Sequence, residues 1–128
     1  MNRNDLCDKC LSLSGAVEEF PFGPDAAVYK VRGKMFALIP VAADPPTISL
    51  KSDPVEAEML REMYIAVQPG YHLNKKHWNT VTVDGEIPEA QIIEMIDDSY
   101  TLVRQKLSKK EQKVLQALEQ DESTANEG

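Results

Sequence analysis

The run AAVYKVRGKMFALIPV, Ala26 to Val41, constrains the fold more than any other part of the chain. Ala27, Tyr29 and Val31 alternate with Val28, Lys30 and Arg32, the period of a strand with two unlike faces. Gly33 supplies a turn, and the nearly all-apolar MFALIPV returns as the second arm of a hairpin. An arm apolar on both faces belongs at the centre of a sheet, so further strands must flank it. AVEEFPF upstream reads as an irregular strand, weakened by Pro21 and closed by the turn signal GPD, and is expected at an edge. After AADPP, TISLK alternates Ile48 and Leu50 against Thr47, Ser49 and Lys51. Four strands in succession are most simply an antiparallel meander.

Helical signals bracket these strands. NDLCDKCLSL places Leu6, Cys10 and Leu13 on one stripe, with Asn4 as N-cap and Gly15 as terminator. SDPVEAEMLREMY opens with Asp53 as N-cap, Pro54 at the first helical position and Glu56 in a capping-box position. Val55, Met59, Met63 and Val67 then recur every four residues, and this spacing predicts the buried face of the second helix. WNTVTV reads as a fifth strand. From Pro88, the residues Ile92, Ile93, Ile96, Tyr100, Val103 and Leu107 follow the helical period over about five turns. Ser108 to Glu111 is a second capping box, which opens a short helix carrying Val114, Leu115 and Leu118. The fold class expected is α+β, with an antiparallel sheet of about five strands and helices on one face.

The length of 128 residues suits one domain, taken as residues 1–120 with an acidic disordered tail at 121–128. Hydrophobic residues at 42 % and charged residues at 27 % are ordinary for a soluble globular protein, so disorder is expected only in that tail. No run approaches the roughly 18 apolar residues that cross a bilayer, and the N-terminus lacks the pattern of a signal peptide. A cytoplasmic location with no membrane partner is expected. Cys7 and Cys10 form a CxxC without a second pair. They read as helix residues, at least one of them buried, and not as a zinc or redox site.

Net charge is −7, but residues 26–83 carry seven bases against five acids. No Asp or Glu lies between Asp25 and Asp44 or between Glu62 and Asp84, and these windows hold Lys30, Arg32, Lys34, Lys75 and Lys76. If Tyr29, Val31, Ile48 and Leu50 face the helices, alternation sends Lys30, Arg32, Ser49 and Lys51 to the open face, with Thr80, Thr82 and Trp78 beside them. Hydroxyls, cations and one aromatic ring suit phosphate contact and base stacking, and equally suit any antiparallel sheet with one solvated face.

Both histidines and the only tryptophan fall within QPGYHLNKKHWNTVTV, residues 68–83. His72 and His77, five apart, share neither a helical nor a strand face, so a metal pair is not indicated. Neither imidazole has a Ser or Cys in a fixed register, and phosphate-loop and dinucleotide fingerprints are absent. No catalytic constellation, metal site or cofactor is expected. A structural role fits these residues directly, with His72, Asn74 and His77 bonding a loop's backbone and Trp78 anchoring it by burial of its ring.

PGYHLNKKHWNTV, together with CLSLSGAVEEFPFGPD, VYKVRGKMFAL and LKSDPVEAEMLREMY, resembles the MmcQ/YjbR family of small bacterial proteins, over about Leu6 to Leu107. The resemblance implies a frataxin-like (CyaY-like) fold and DNA binding through a double-wing arrangement, with no enzymatic activity established for the class. The positions that match are Lys34, Lys51, and Tyr71, His72, Asn74, Lys75, Lys76, His77, Trp78 and Asn79 of the signature loop. Ser14 stands where proline is common, and Ile87 where a capping polar residue is usual.

Three readings follow. A DNA-binding module would set Lys30, Arg32, Lys34, Lys51, Lys75 and Lys76 on phosphates. A non-enzymatic module would use the same site for a protein or a small anionic ligand. An enzyme would need His72 or His77 as acid or base.

Overall fold

The computed structural model describes the backbone of residues 1–70 and 73–127, and side chains within these as far as residue 121. The elements run α1 (Arg3–Leu11), β1 (Ala16–Glu19), β2 (Ala26–Val31), β3 (Lys34–Pro40), β4 (Thr47–Lys51), α2 (Pro54–Met63), β5 (Val67–Pro69), β6 (Trp78–Thr82), α3 (Glu89–Gln105) and α4 (Lys109–Glu127). The fold is α+β, with one antiparallel sheet in the order β1-β2-β3-β4-β6-β5. It has six strands where about five were expected. The addition is β5, whose three residues are too few to display a period of two. Leu6 and Cys10 of α1, Leu60 of α2, Ile96 of α3 and Leu115 of α4 enter one core against Tyr29, Val31, Ile48 and Val81. No helix among the described residues is long and apolar enough to cross a membrane.

The β2–β3 turn is Arg32-Gly33, with φ of 47° and 83°. Two successive left-handed residues give the turn twist that matches the twist of the flanking strands. Arg32 therefore lies in the turn and not on the strand face. A register shift at Tyr29/Lys30 lets both Phe36 and Ala37 reach the core, where the Phe36 ring meets Tyr100 of α3 edge-on at 5.4 Å. Only Ala37–Leu50 and Leu38–Ser49 pair between β3 and β4. Beyond them Ser99 of α3 is fully buried, its hydroxyl donating to the Phe36 carbonyl at 2.6 Å and accepting from the Lys51 N–H at 2.9 Å. This hydroxyl satisfies two main-chain groups that the ladder leaves open.

Three helix details differ from expectation. The N-cap of α1 is Asn2, not Asn4, in a reciprocal capping box with Asp5. Asp53 does cap α2 through the Val55 N–H, while Glu56 lies with Asp98 and Asp53 and not back on the cap. Most consequentially, Val55, Met59 and Met63 are 68, 55 and 63 % exposed, and α2 buries Ala57 and Leu60 instead. Steps of four advance about 400°, so a pure every-fourth stripe drifts about 40° per step around the axis. The facing set Ala57, Leu60, Arg61 and Tyr64 follows the i, i+3, i+4, i+7 pattern and was obscured by the arginine within it. Val67 is buried, but on β5.

Helix α4 is longer than the short helix expected. Its Leu115 packs where a Cβ on Gly15 would sit 2.6 Å from the Leu115 Cδ1 atom. Ser14 donates to Glu119 at 3.0 Å, and Glu119 in turn pairs with Arg104 at 2.5 Å, so serine in place of proline gives α4 an anchor. Ile87 is buried beneath the start of α3, which has no side-chain cap. The backbone of 121–127 continues α4 where a tail was expected, and the side chains of residues 122–127 and residue 128 lie outside the described residues.

This helix phase has a direct thermodynamic consequence. Val55→Ala and Met59→Ala should each shift stability in urea by no more than about 0.5 kcal/mol, whereas Leu60→Ala should cost about 2–5 kcal/mol. Equal losses for Met59→Ala and Leu60→Ala would contradict the phase assigned to α2.

Candidate functional site

The register of the sheet gathers the candidate residues at one end. Strand β4 finishes at Lys51, which faces Trp78 at the start of β6, and Ser52 N–H donates to the His77 carbonyl at 2.8 Å. Strand β3 starts at that same end with Lys34, just after the Arg32-Gly33 turn.

The loop entering β6 is built from backbone geometry. Gly70 N–H donates to the Trp78 carbonyl at 2.8 Å, and a Cβ at Gly70 would lie 2.9 Å from the Trp78 Cβ, so this close approach requires glycine. The Asn74 side chain accepts from Lys76 N–H at 3.0 Å, and its carbonyl accepts from His77 N–H and Trp78 N–H. Asn74 thereby fixes the turn that carries Lys75 and Lys76. Trp78 is 8 % exposed and anchors the loop on the face away from the helices. His77 contributes backbone bonds. Tyr71 and His72 lie outside the described residues.

Asn79 has the opposite orientation and is 1 % exposed. Its Oδ1 accepts from Arg61 Nε at 2.6 Å, and its Nδ2 donates to the Ala57 carbonyl at 3.2 Å. The Arg61 guanidinium also donates to the Lys75 carbonyl. One arginine thus joins α2, β6 and the lysine loop. Arg61 was not among the sequence candidates. Its position in the stripe with Ala57, Leu60 and Tyr64 was the available signal.

The six cations fall into two groups. Lys30 pairs with Glu19 at 2.8 Å, and Arg32 reaches Glu111 of α4 at 2.5 Å, which lowers the Glu111 carboxyl below its usual range. Among the described residues no carboxylate forms an ion pair with Lys34, Lys51, Lys75 or Lys76. Lys51 is pushed below the usual lysine range, first by burial and then by the charges of Lys106 and Lys34. Lys106, the C-cap of α3, therefore joins this group and was also absent from the sequence candidates. Glu56 and Asp98 share a cleft with Lys51 and bound the cationic area on the helix side. Burial and neighbouring carboxylates raise both.

The open face is less polar than alternation implied. Val28, Leu38, Ser49 and Thr80 share it in adjacent strands, yet Val28 is fully buried, and Phe22 and Leu73 of the β1–β2 and β5–β6 connections line the cleft over Leu38, Ser49 and Thr80. Both Cys7 and Cys10 are buried on α1, and burial, the Cys7 neighbour and Lys9 together leave the Cys10 thiol pushed up to about 12. Such a thiol is protonated at neutral pH. Among the described residues no cluster of three or more His, Cys, Asp or Glu side chains could hold a metal ion.

Arg61→Ala and Asn79→Ala should each cost about 1–3 kcal/mol, since either leaves a buried polar partner unsatisfied. In a double-mutant cycle by urea unfolding they should couple by roughly 0.5–3 kcal/mol. Strict additivity would show that the Arg61–Asn79 contact does not hold the loop.

A family model described as YjbR matches residues 11–102, from the end of α1 through the whole sheet into α3. The chain is 35 % identical over 115 residues to the uncharacterized protein YjbR of Escherichia coli K12, covering 90 % of this chain and 98 % of that protein. It is 44 % identical over 94 residues to the uncharacterized protein YbdF of Escherichia coli O157:H7, covering 73 % and 77 % respectively. The crystal structure of Deinococcus radiodurans protein DR2400, a DUF419 domain, superposes with a TM-score of 0.83 at 42 % identity, covering 88 % of this chain and 86 % of that one. A crystal structure of a Pseudomonas syringae protein gives a TM-score of 0.69 at 29 % identity, covering 80 % and 98 %. The length of the match and the shared fold agree, and the chain belongs to the YjbR family.

Proposed function

We propose that the lysine-rich end of the sheet binds the phosphate backbone of DNA. The observation that carries this reading is the cluster of Lys51, Lys34 and Lys106, in which burial and then the two neighbouring cations lower the Lys51 amine and no carboxylate forms an ion pair with Lys51 among the described residues. Cations that repel one another gain when an anion enters between them. Exposed Lys75 and Lys76 extend the positive area on a loop whose backbone is tied by Asn74 and Arg61. The DNA binding implied by the resemblance to the MmcQ/YjbR family is consistent with this chemistry, although family likeness alone transfers no function. With net charge −7, the rest of the surface repels phosphate, so contact is confined to this end and depends steeply on salt.

Four phosphate contacts, by Lys34, Lys51, Lys75 and Lys76, give a slope of about −3.6 for log affinity against log salt, or roughly a hundredfold loss between about 50 and 200 mM. Fluorescence anisotropy with a labelled duplex measures this slope. Lys75→Ala with Lys76→Ala should flatten it by nearly two units. Lys30→Ala should change it by less than about half a unit, because Lys30 already faces Glu19. Absence of binding at about 20 mM salt, where screening is weak, would refute the reading.

A further inference from the structure

On the face of the sheet away from the helices, Leu38, Ser49, Thr47 and Thr80 floor a cleft of about 480 Å³, with Phe22 and Leu73 as walls. That volume lies within the range of small-molecule sites, which combine apolar walls with a few placed polar groups. The polar groups here are specific. Ser49 Oγ and Thr80 Oγ1 lie 2.8 Å apart across β4 and β6, with either able to donate. One hydrogen bond between two hydroxyls uses one proton, so the pair retains one O–H donor and free acceptor lone pairs. Ser49 is 5 % exposed, so water has little access to its share of that capacity. Phe22 is 71 % exposed at the mouth, so most of its surface is open to a ligand. None of the described lining residues is ionisable.

We infer that this cleft binds a small, uncharged, ring-bearing molecule whose polar edge meets the Ser49–Thr80 hydroxyl pair and whose ring packs between Phe22, Leu38 and Leu73. Each part of the ligand answers a part of the cleft. The hydroxyl pair can both donate and accept, so it fits an edge such as a carboxamide or a ring N–H beside a carbonyl. The apolar walls reward a flat ring, and aromatic contact with Phe22 adds to simple area burial. A charged ligand would lose hydration without gaining a counter-ion from the described lining. The inference is independent of the lysine-rich end, which uses other residues and the opposite type of ligand.

Benzamide serves as the probe and benzoate as its charged counterpart of the same shape, both followed by NMR titration of methyl and amide signals. A fragment this small binds such a site with a Kd on the order of 1–10 mM. Benzamide should give saturable shifts centred on Leu38, Leu73 and Thr80, and benzoate should bind at least about tenfold more weakly. Ser49→Ala should weaken benzamide roughly three- to tenfold through the lost hydrogen bond. Phe22→Ala should weaken it by a similar factor, and because the Phe22 ring is exposed this variant keeps its thermal midpoint. Benzamide shifts that stay linear up to about 100 mM, equal binding of benzoate, shifts centred elsewhere, or an unchanged Kd in Phe22→Ala would each overturn the inference.

Discussion

The arrangement at the lysine-rich end of the sheet depends on burying the amide of Asn79. A primary amide removed from water costs several kcal/mol unless its donors and acceptor are met. Here the Ala57 carbonyl accepts from the amide nitrogen and the Arg61 Nε donates to its oxygen, and both belong to α2. This requirement fixes the rotation of α2 above β5 and β6, turning Ala57, Leu60 and Arg61 inward and leaving Val55, Met59 and Met63 outward. Arg61 then has a second donor group directed at the Lys75 carbonyl. The position of the lysine loop thus follows from the same polar contact that sets the helix phase, and not from the lysines themselves.

Charge is distributed to match. Pairing with Glu19 and Glu111 neutralises Lys30 and Arg32 toward the β1 side of the sheet, and α4 supplies one of these partners. Lys34, Lys51 and Lys106 are left facing one another at the end of β3, β4 and α3. On the helix side, burial first and neighbouring carboxylates second raise Glu56 and Asp98. The cationic and acidic groups thus meet at a border between the lysine-rich end and the α2–α3 cleft, and under the proposed function such a border would orient a polyanion toward the loop.

The elements that could be read from the sequence were those with local rules. The 26–41 hairpin, the TISLK and WNTVTV strands and α3 each carry the correct period over enough residues, and the structure contains all four. The Asp53-Pro54 start of α2 was legible because a cap acts within one turn. Its buried face was not, because Met and Val at every fourth position outweigh Ala57 and Leu60 on hydrophobicity alone, and only the non-local need of Asn79 selects between them. Strand β5 was hidden by its length. Within the site, Lys34, Lys75 and Lys76 are legible as cations in acid-free windows and Lys51 through the alternation of its strand, while the separation of Lys30 and Arg32 depends on Glu19 and Glu111, the latter 79 residues from Arg32. Lys106 enters through a tertiary contact with no local mark, and Arg61 through one whose only local sign is its place in the Ala57, Leu60 and Tyr64 stripe.

Amide chemical-shift mapping of the full chain with a short DNA duplex, at about 20 mM salt where exposed charges are weakly screened, tests the central claim most directly. The account predicts perturbations concentrated at Lys34, Lys51, Lys75, Lys76 and Lys106, with the Lys75–Trp78 segment moving as one unit because Arg61 and Asn74 tie it. Perturbations centred on the β1 edge, on the exposed Val55–Met59–Met63 ridge, or spread evenly over the surface would contradict it.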